Sequence, residues 1–432
     1  MKKLPVAIGM IVALLAALYF VEPRQAGPTE TLIEPSNEPF VGEAKLEKIS
    51  DHFQAYVDSG KLVGLTTLIA EKGKIVHFST YGSRIKDTPE PTQKDTIYRL
   101  YSMSKPITSA ALMMLWEEGK FDLDDPISQY MPVMANPQVY VSGDSLETLI
   151  SRPAKQGITI RQLMTHTSGH TYGVFGNHPV DQAYRAAGLQ DPTASGAILM
   201  KRLADLPLMF EPGSRYHYGV AVDIQGRLIE VISGQSLGDF LKERIFDPLG
   251  MKDTGFHLGA TSMNRLSGLY TLDSERNTIQ MGNEYGEIGV QRPAFEAGGS
   301  GLVSTTMDYW RFAQMLVNEG SLDDVRILKP ETVALMTRNH LPASAPRLNN
   351  SESGPSRGLS FGLGFAVVED SDLTKGASLK GNYYWSGLAS TVFWVDPTND
   401  VVVILMTNLI PNQTWPLRED MRDIIYAPNF AE

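Results

Sequence analysis

The sequence predicts an α/β fold of the α+β kind. One antiparallel sheet is built from strands at both ends of the chain, flanked by helices and interrupted by a large, mostly helical insertion. Near the start, Leu62–Ala70 and Ile75–Tyr81 are β-rich runs joined by Glu71-Lys72-Gly73-Lys74, a hairpin signal. Near the end, Thr391–Asp396 and Val401–Asn408 flank Pro397-Thr398-Asn399-Asp400 in the same way, with Phe361–Val368 and Asn382–Trp385 as further strands. Between them, roughly residues 100 to 340, helical patterning dominates, as in Ile160–Met164, Ala197–Leu206, Val222–Ile232, Leu237–Ile245 and Asp308–Asn318.

Ahead of this fold, Lys2-Lys3 precede the apolar stretch Leu4–Val21. As a helix it would run roughly 27 Å, close to the thickness of a bilayer's hydrocarbon core. Residues 1–21 are expected to be a signal anchor or a signal peptide. The anchor is favoured, because cuts after Ala17 or Ala26 would have Leu15 or Arg24 at the third position back, where a small residue is needed. The positive flank would stay in the cytoplasm and leave the catalytic domain outside it, on the periplasmic side. Cleavage would instead release a secreted chain. Residues 22–45, with Pro23, Pro28, Pro35 and Pro39, read as a disordered linker, and residues 46–428 as the folded domain.

Composition sets the remaining bounds. The 432 residues are 42% hydrophobic and 20% charged, enough for a sizeable core. A net charge of −11 argues against nucleic acid as a partner. The absence of Cys excludes disulfides, thiol catalysis and Cys-ligated metals.

The chemistry-bearing feature is Ser102-Met103-Ser104-Lys105. A Ser three residues ahead of a Lys on a helix lies one turn from it on the same face, so the amine can reach the hydroxyl and activate it without a His. Residues 106–119 read as a buried helix, with Pro106 in its first turn and Gly119 as its stop. Ser102 then sits at a helix N-terminus, where backbone N–H groups favour a developing oxyanion. A chain this long should hold about two such four-residue patterns by chance. The second, Ser83-Arg84-Ile85-Lys86, runs into Asp87-Thr88-Pro89-Glu90-Pro91 and has no helix behind it. Only Ser102 has the context that the chemistry needs.

Other constellations carry less. Tyr216 or Tyr218, after Pro212-Gly213, could supply a phenol near Lys105, and Trp385-Ser386-Gly387-Leu388 is a strand end where Gly387 admits a substrate. His166 and His170 are spaced by four, but Gly169 argues against a shared helix, so zinc is not expected. Gly298-Gly299-Ser300-Gly301 lacks the Lys of a phosphate loop and reads as a turn before the helix near Thr306. No metal or other cofactor is expected.

Over residues 46–425 the chain resembles the serine β-lactamase and penicillin-binding protein superfamily, in particular its class C branch and the related esterases. The resemblance rests on Asp95–Arg99, Gly119–Pro126, Ile158–Gly169, Pro212-Gly213 leading to Tyr218, and Gly299–Thr305. It implies that Ser102 is acylated, that Lys105 takes its proton, and that Tyr218, rather than Tyr216, is the tyrosine of the second motif. It also implies an oxyanion hole from the backbone N–H groups of Ser102 and Leu388, with Trp385, Ser386, Gly387 and Tyr384 binding substrate. Two positions depart from the lactamase pattern: Val220 stands where class C enzymes carry Asn, and Trp385 where they carry Lys. Without that cation an acidic substrate loses charge-assisted hydrogen bonds, and an aromatic wall suits apolar groups. The expected function is a serine hydrolase cleaving carboxylic esters through an acyl-enzyme. Its partners would be a small-molecule ester or amide and, through the N-terminal helix, the membrane. The alternatives are a β-lactamase or D-amino-acid peptidase, and a non-catalytic envelope protein of the same fold.

Overall fold

The computed structural model describes residues 39–189, 191–273, 278–281, 288–342, 358–370 and 379–427. The expected apolar span Leu4–Val21 and residues 22–38 of the expected linker lie outside them. Among the described residues no helix is long and apolar enough to cross a membrane.

Seven strands form the central sheet: β1 (Gly64–Glu71), β2 (Lys74–Gly82), β3 (Leu359–Phe361), β4 (Ala366–Val368), β5 (Tyr383–Ser386), β6 (Val392–Asp396) and β7 (Val401–Met406). Their spatial order is β3-β4-β5-β6-β7-β1-β2, and every pairing is antiparallel. The N-terminal hairpin therefore joins the C-terminal strands through β1 and β7, with Thr66 opposite Met406 and Glu71 opposite Val401. Lys72 and Gly73 both take left-handed φ, 50° and 73°. Such a turn matches the twist of the strands it connects.

Helices cover both faces of this sheet. On one face lie α1 (Glu43–Asp58) and the C-terminal helix Leu417–Tyr426, packed on Ile69, Trp394, Val401 and Val403. The other face carries α2 (Ser104–Glu117), against which α3 (Ala221–Ser233) packs, and α4 (Thr306–Val317), with Leu68, Phe393, Val395 and Ile404 among the core side chains. Two covered faces explain why β6 and β7 are buried throughout and read as unbroken apolar runs, not alternating ones. The C-terminal helix, hereafter α5, and α1 went unassigned in the sequence reading.

Three expectations need correction. The packed chain begins near Phe40 and not at residue 46: Val41 is buried, and the Phe40 and Val41 N–H groups donate to the buried Glu71 carboxylate. The run Phe361–Val368 is a hairpin, because residues 362–365 turn between β3 and β4. Gly364 there has φ 101°, and a Cβ on it would lie 2.5 Å from Ser109 of α2. The insertion is also less helical than expected, since Gln138–Ser142 pairs with Ile150–Pro153 and Pro207–Leu208 in a small sheet.

Candidate active site

Ser102 lies in a single 3₁₀ turn, Tyr101–Met103, that runs directly into α2. Tyr101 has φ 46°, a left-handed conformation unusual for a bulky residue, and it turns the chain just before the nucleophile. Every side chain from Ser104 to Leu115 is buried, so α2 is a fixed spine beneath the site. Its first turn brings the Lys105 Nζ to 3.1 Å from the Ser102 Oγ, as the spacing predicts.

The second group comes from more than a hundred residues away. The Tyr218 hydroxyl donates to the Ser102 Oγ at 2.6 Å. Tyr216 instead packs on Phe361 and His166, at centroid distances of 5.3 and 5.8 Å. The structure thus brings Tyr218, and not Tyr216, to the Ser102 hydroxyl.

Around Lys105 the structure adds groups to which the sequence reading gave no role. Nζ donates to the Gly299 carbonyl at 2.7 Å and lies 5.1 and 4.7 Å from the ring centroids of Tyr172 and Tyr218. The Gly299 N–H donates to the Asp223 carboxylate at 2.9 Å, so the backbone of one residue links the amine and a buried acid. Gly299 has to be glycine: a Cβ there would sit 2.9 Å from both Asp223 oxygens and from the Tyr172 hydroxyl. The stretch read as a turn before a helix is such a turn, and α4 follows with Thr305 capping it through the Asp308 N–H. Its Gly299 also completes the site.

Burial decides the protonation states. It pushes Lys105 down to about 7, and Asp223 partly opposes that shift by favouring the ammonium. It pushes the Tyr218 phenol well above its ordinary range, with the Ser102 hydrogen bond pulling the other way. His166 is held neutral by burial and by the positive neighbour Lys105. Its ring packs 5.0 Å from that of Tyr218, while His170 bonds Ser168 at 2.9 Å. The two histidines do not share a ligand set. Among the described residues no cluster of three or more candidate ligands could hold a metal.

The third motif divides between two sides. Trp385 packs on Tyr218 and Phe361, at 5.5 and 5.3 Å, and so reaches the nucleophile's surroundings. Gly387 is pressed against the nucleophile turn, where a Cβ would lie 2.2 Å from the Leu100 carbonyl, and Thr391 donates to that same oxygen. This contact sets the backbone before Ser102 beside the backbone before Leu388. Tyr384 and Ser386 depart from expectation. Successive strand residues point to opposite faces. Tyr384 accordingly lies under the Arg418 guanidinium of α5, and Ser386 lines a separate cavity with Arg418 and Glu419. Tyr383 is buried against Phe365 at 5.4 Å. The aromatic groups around Tyr218 are instead Trp385, backed by buried Phe361, together with Tyr172 and Phe175, the last with its ring 5.8 Å from Tyr172.

The family model described as Beta-lactamase matches residues 49–422. Protein Rv1367c of Mycobacterium tuberculosis is 34% identical over 360 residues, covering 82% of this chain and 88% of its own length. Esterase EstB of Burkholderia gladioli is 27% identical over 394 residues, covering 85% and 91%. Among solved structures, "EstCE1, a hydrolase with promiscuous acyltransferase activity" superposes with a TM-score of 0.75 at 26% identity, over 89% of this chain and 99% of that one.

Proposed function

The chain belongs to the β-lactamase family, and from that membership we propose that it is a carboxylic ester hydrolase working through a Ser102 acyl-enzyme. The observation that carries this reading is the Ser102 Oγ held between a desolvated amine at 3.1 Å and a phenol at 2.6 Å. As Oγ attacks the ester carbonyl, neutral Lys105 takes its proton. The carbonyl oxygen, now negative, is received by the N–H groups of Ser102 and Leu388. Tyr218 gives its proton to the departing alkoxide and is reprotonated by Lys105. Water then attacks the acyl-enzyme, its proton returns through the same pair, and Ser102 leaves as a hydroxyl.

Esters are favoured over β-lactams by what surrounds this centre. Trp385 presents an indole where related lactamases offer a cation. Val220 is buried at the start of α3 and cannot present a polar group. An acidic β-lactam would lack both orienting groups, whereas a neutral ester needs only the oxyanion hole and an apolar wall. On purified protein, kcat/KM for p-nitrophenyl butyrate should exceed that for nitrocefin by at least about tenfold, a difference of roughly 1.4 kcal/mol. Equal or better turnover of nitrocefin would replace the esterase reading with the lactamase one.

The protonation states set the pH dependence. The base must be a free amine, so kcat/KM should rise with pH through about 7 and fall away below it. Because Tyr218 is shifted upward, no loss from its ionisation is expected until strongly alkaline pH. Asp223→Asn removes the charge that favours the ammonium while still accepting the Gly299 N–H. The ascending limb should then move to lower pH. A limb that stays in place or moves upward would show that Asp223 does not act on Lys105.

A further inference from the structure

Resting on the esterase reading, we infer that the loop residues Val174 and Phe175 form the subsite for the alcohol half of the ester, selecting bulky apolar alcohols.

Val174 is 45% exposed and Phe175 39%, two adjacent apolar side chains facing water at the edge of the site. The backbone that displays them is held from both sides. The Arg185 guanidinium donates to the carbonyl of Gly173, to that of Gly176 at 2.8 Å and to the Asn177 side chain at 2.8 Å. Thr171 donates to buried Asp181 at 2.6 Å and accepts from the Gly173 N–H at 3.1 Å. Gly173, at φ 78°, makes the turn, and a Cβ on it would lie 2.9 Å from Tyr184 and from the Asp181 carbonyl. Fixed polar ties thus present an apolar knuckle to solvent, an arrangement suited to receiving a ligand group without ordering a mobile loop.

Its position says which half of the substrate it meets. The Phe175 ring lies 6.0 Å from that of Tyr218 and edge-on to Tyr172 at 5.8 Å, while Tyr172 has Lys105 5.1 Å from its ring centroid. In the proposed reaction Tyr218 protonates the departing oxygen, so that oxygen comes within hydrogen-bond distance of the phenol. The group attached to it therefore leaves past Phe175. The carbonyl oxygen, in the same reaction, goes to the N–H groups of Ser102 and Leu388 and not to the phenol. Burying an apolar alcohol against Val174 and Phe175 removes their surface from water, a gain that a methyl group cannot supply.

The test measures kcat/KM on two substrate series with the full chain and its Phe175→Ala and Phe175→Leu variants. One series varies the alcohol of a butyrate ester (methyl, butyl, 1-naphthyl). The other varies the acyl chain of a p-nitrophenyl ester from acetate to octanoate. For Phe175→Ala the naphthyl-to-methyl ratio should fall about tenfold, with Phe175→Leu losing less. The octanoate-to-acetate ratio should stay within about twofold, since every member of that series shares one alcohol. Thermal melting reports that the variants are folded. An unchanged alcohol ratio overturns the subsite, and a shift confined to the acyl series reassigns the loop to the acyl half and overturns it equally. A wild-type protein inert to every ester would instead overturn the esterase reading on which the subsite rests.

Discussion

Ser102→Ala is expected to lower turnover of p-nitrophenyl butyrate by on the order of 10⁶-fold, the usual cost of deleting a nucleophile. Ser83→Ala should leave it within about threefold, the range of an unrelated surface change. The two serines share the same three-residue spacing to a lysine and differ only in surroundings. Ser83 sits in an isolated bridge with Pro91, and Lys86 pairs with Asp87 at 2.8 Å instead of reaching back to it. Ser102 opens α2 and is held by Lys105 and Tyr218 together. Both variants should melt near the wild-type temperature, because neither change opens a cavity larger than a hydroxyl. Rates on p-nitrophenyl butyrate and labelling by a fluorophosphonate provide the check. Comparable losses from both substitutions, or from neither, would remove Ser102 from the mechanism.

Lys105→Met and Tyr218→Phe should each slow acylation by about 10²–10⁴-fold, the range for a positioned acid or base. Both serve one proton relay, so the double variant should lose far less than the product of the single losses. Tyr216→Phe, two residues away but packed on Phe361, should retain activity within about threefold, as a conservative change outside the relay. Lys105→Met also has a structural consequence. It strands the Gly299 carbonyl and removes the counter-charge of buried Asp223, which should lower the melting temperature. Tyr218→Phe removes only a hydroxyl and should not. A rapid-quench measurement of the acyl-enzyme separates lost chemistry from lost folding. Full activity in Tyr218→Phe, with loss in Tyr216→Phe, would transfer the role to Tyr216.

Much of this site was legible because its first elements are local. One helical turn carries Ser102 to Lys105, and a turn with two left-handed residues joins β1 to β2. Both follow from periodicities that a short stretch of chain fixes by itself. The runs that become β6 and β7, separated by Pro397-Thr398-Asn399-Asp400, marked the C-terminal hairpin in the same local way. Tyr218 needed the family resemblance as well, since two tyrosines stand two residues apart and spacing alone does not choose between them.

The rest was decided in three dimensions. An amine is ordinarily a poor base near neutrality because it is protonated; burial beneath Tyr172, Tyr218 and Gly299, which lie 67 to 194 positions away, lowers the Lys105 pKa and fits it for the proposed role of base. Asp223, whose charge partly opposes that shift, is tied to the amine through Gly299, a position where a Cβ would collide with its carboxylate. Tyr384 was expected beside the nucleophile, but strand alternation turns it to the opposite face while its neighbour Trp385 reaches the site. Phe175 gave no sequence signal at all, since an exposed aromatic in a loop is unremarkable until the fold sets it against Tyr218. The sequence by itself determined which atoms can react, because reactivity begins with residue type and local geometry. The tertiary structure decided their charge and what they meet, because desolvation and packing depend on neighbours brought together only by folding.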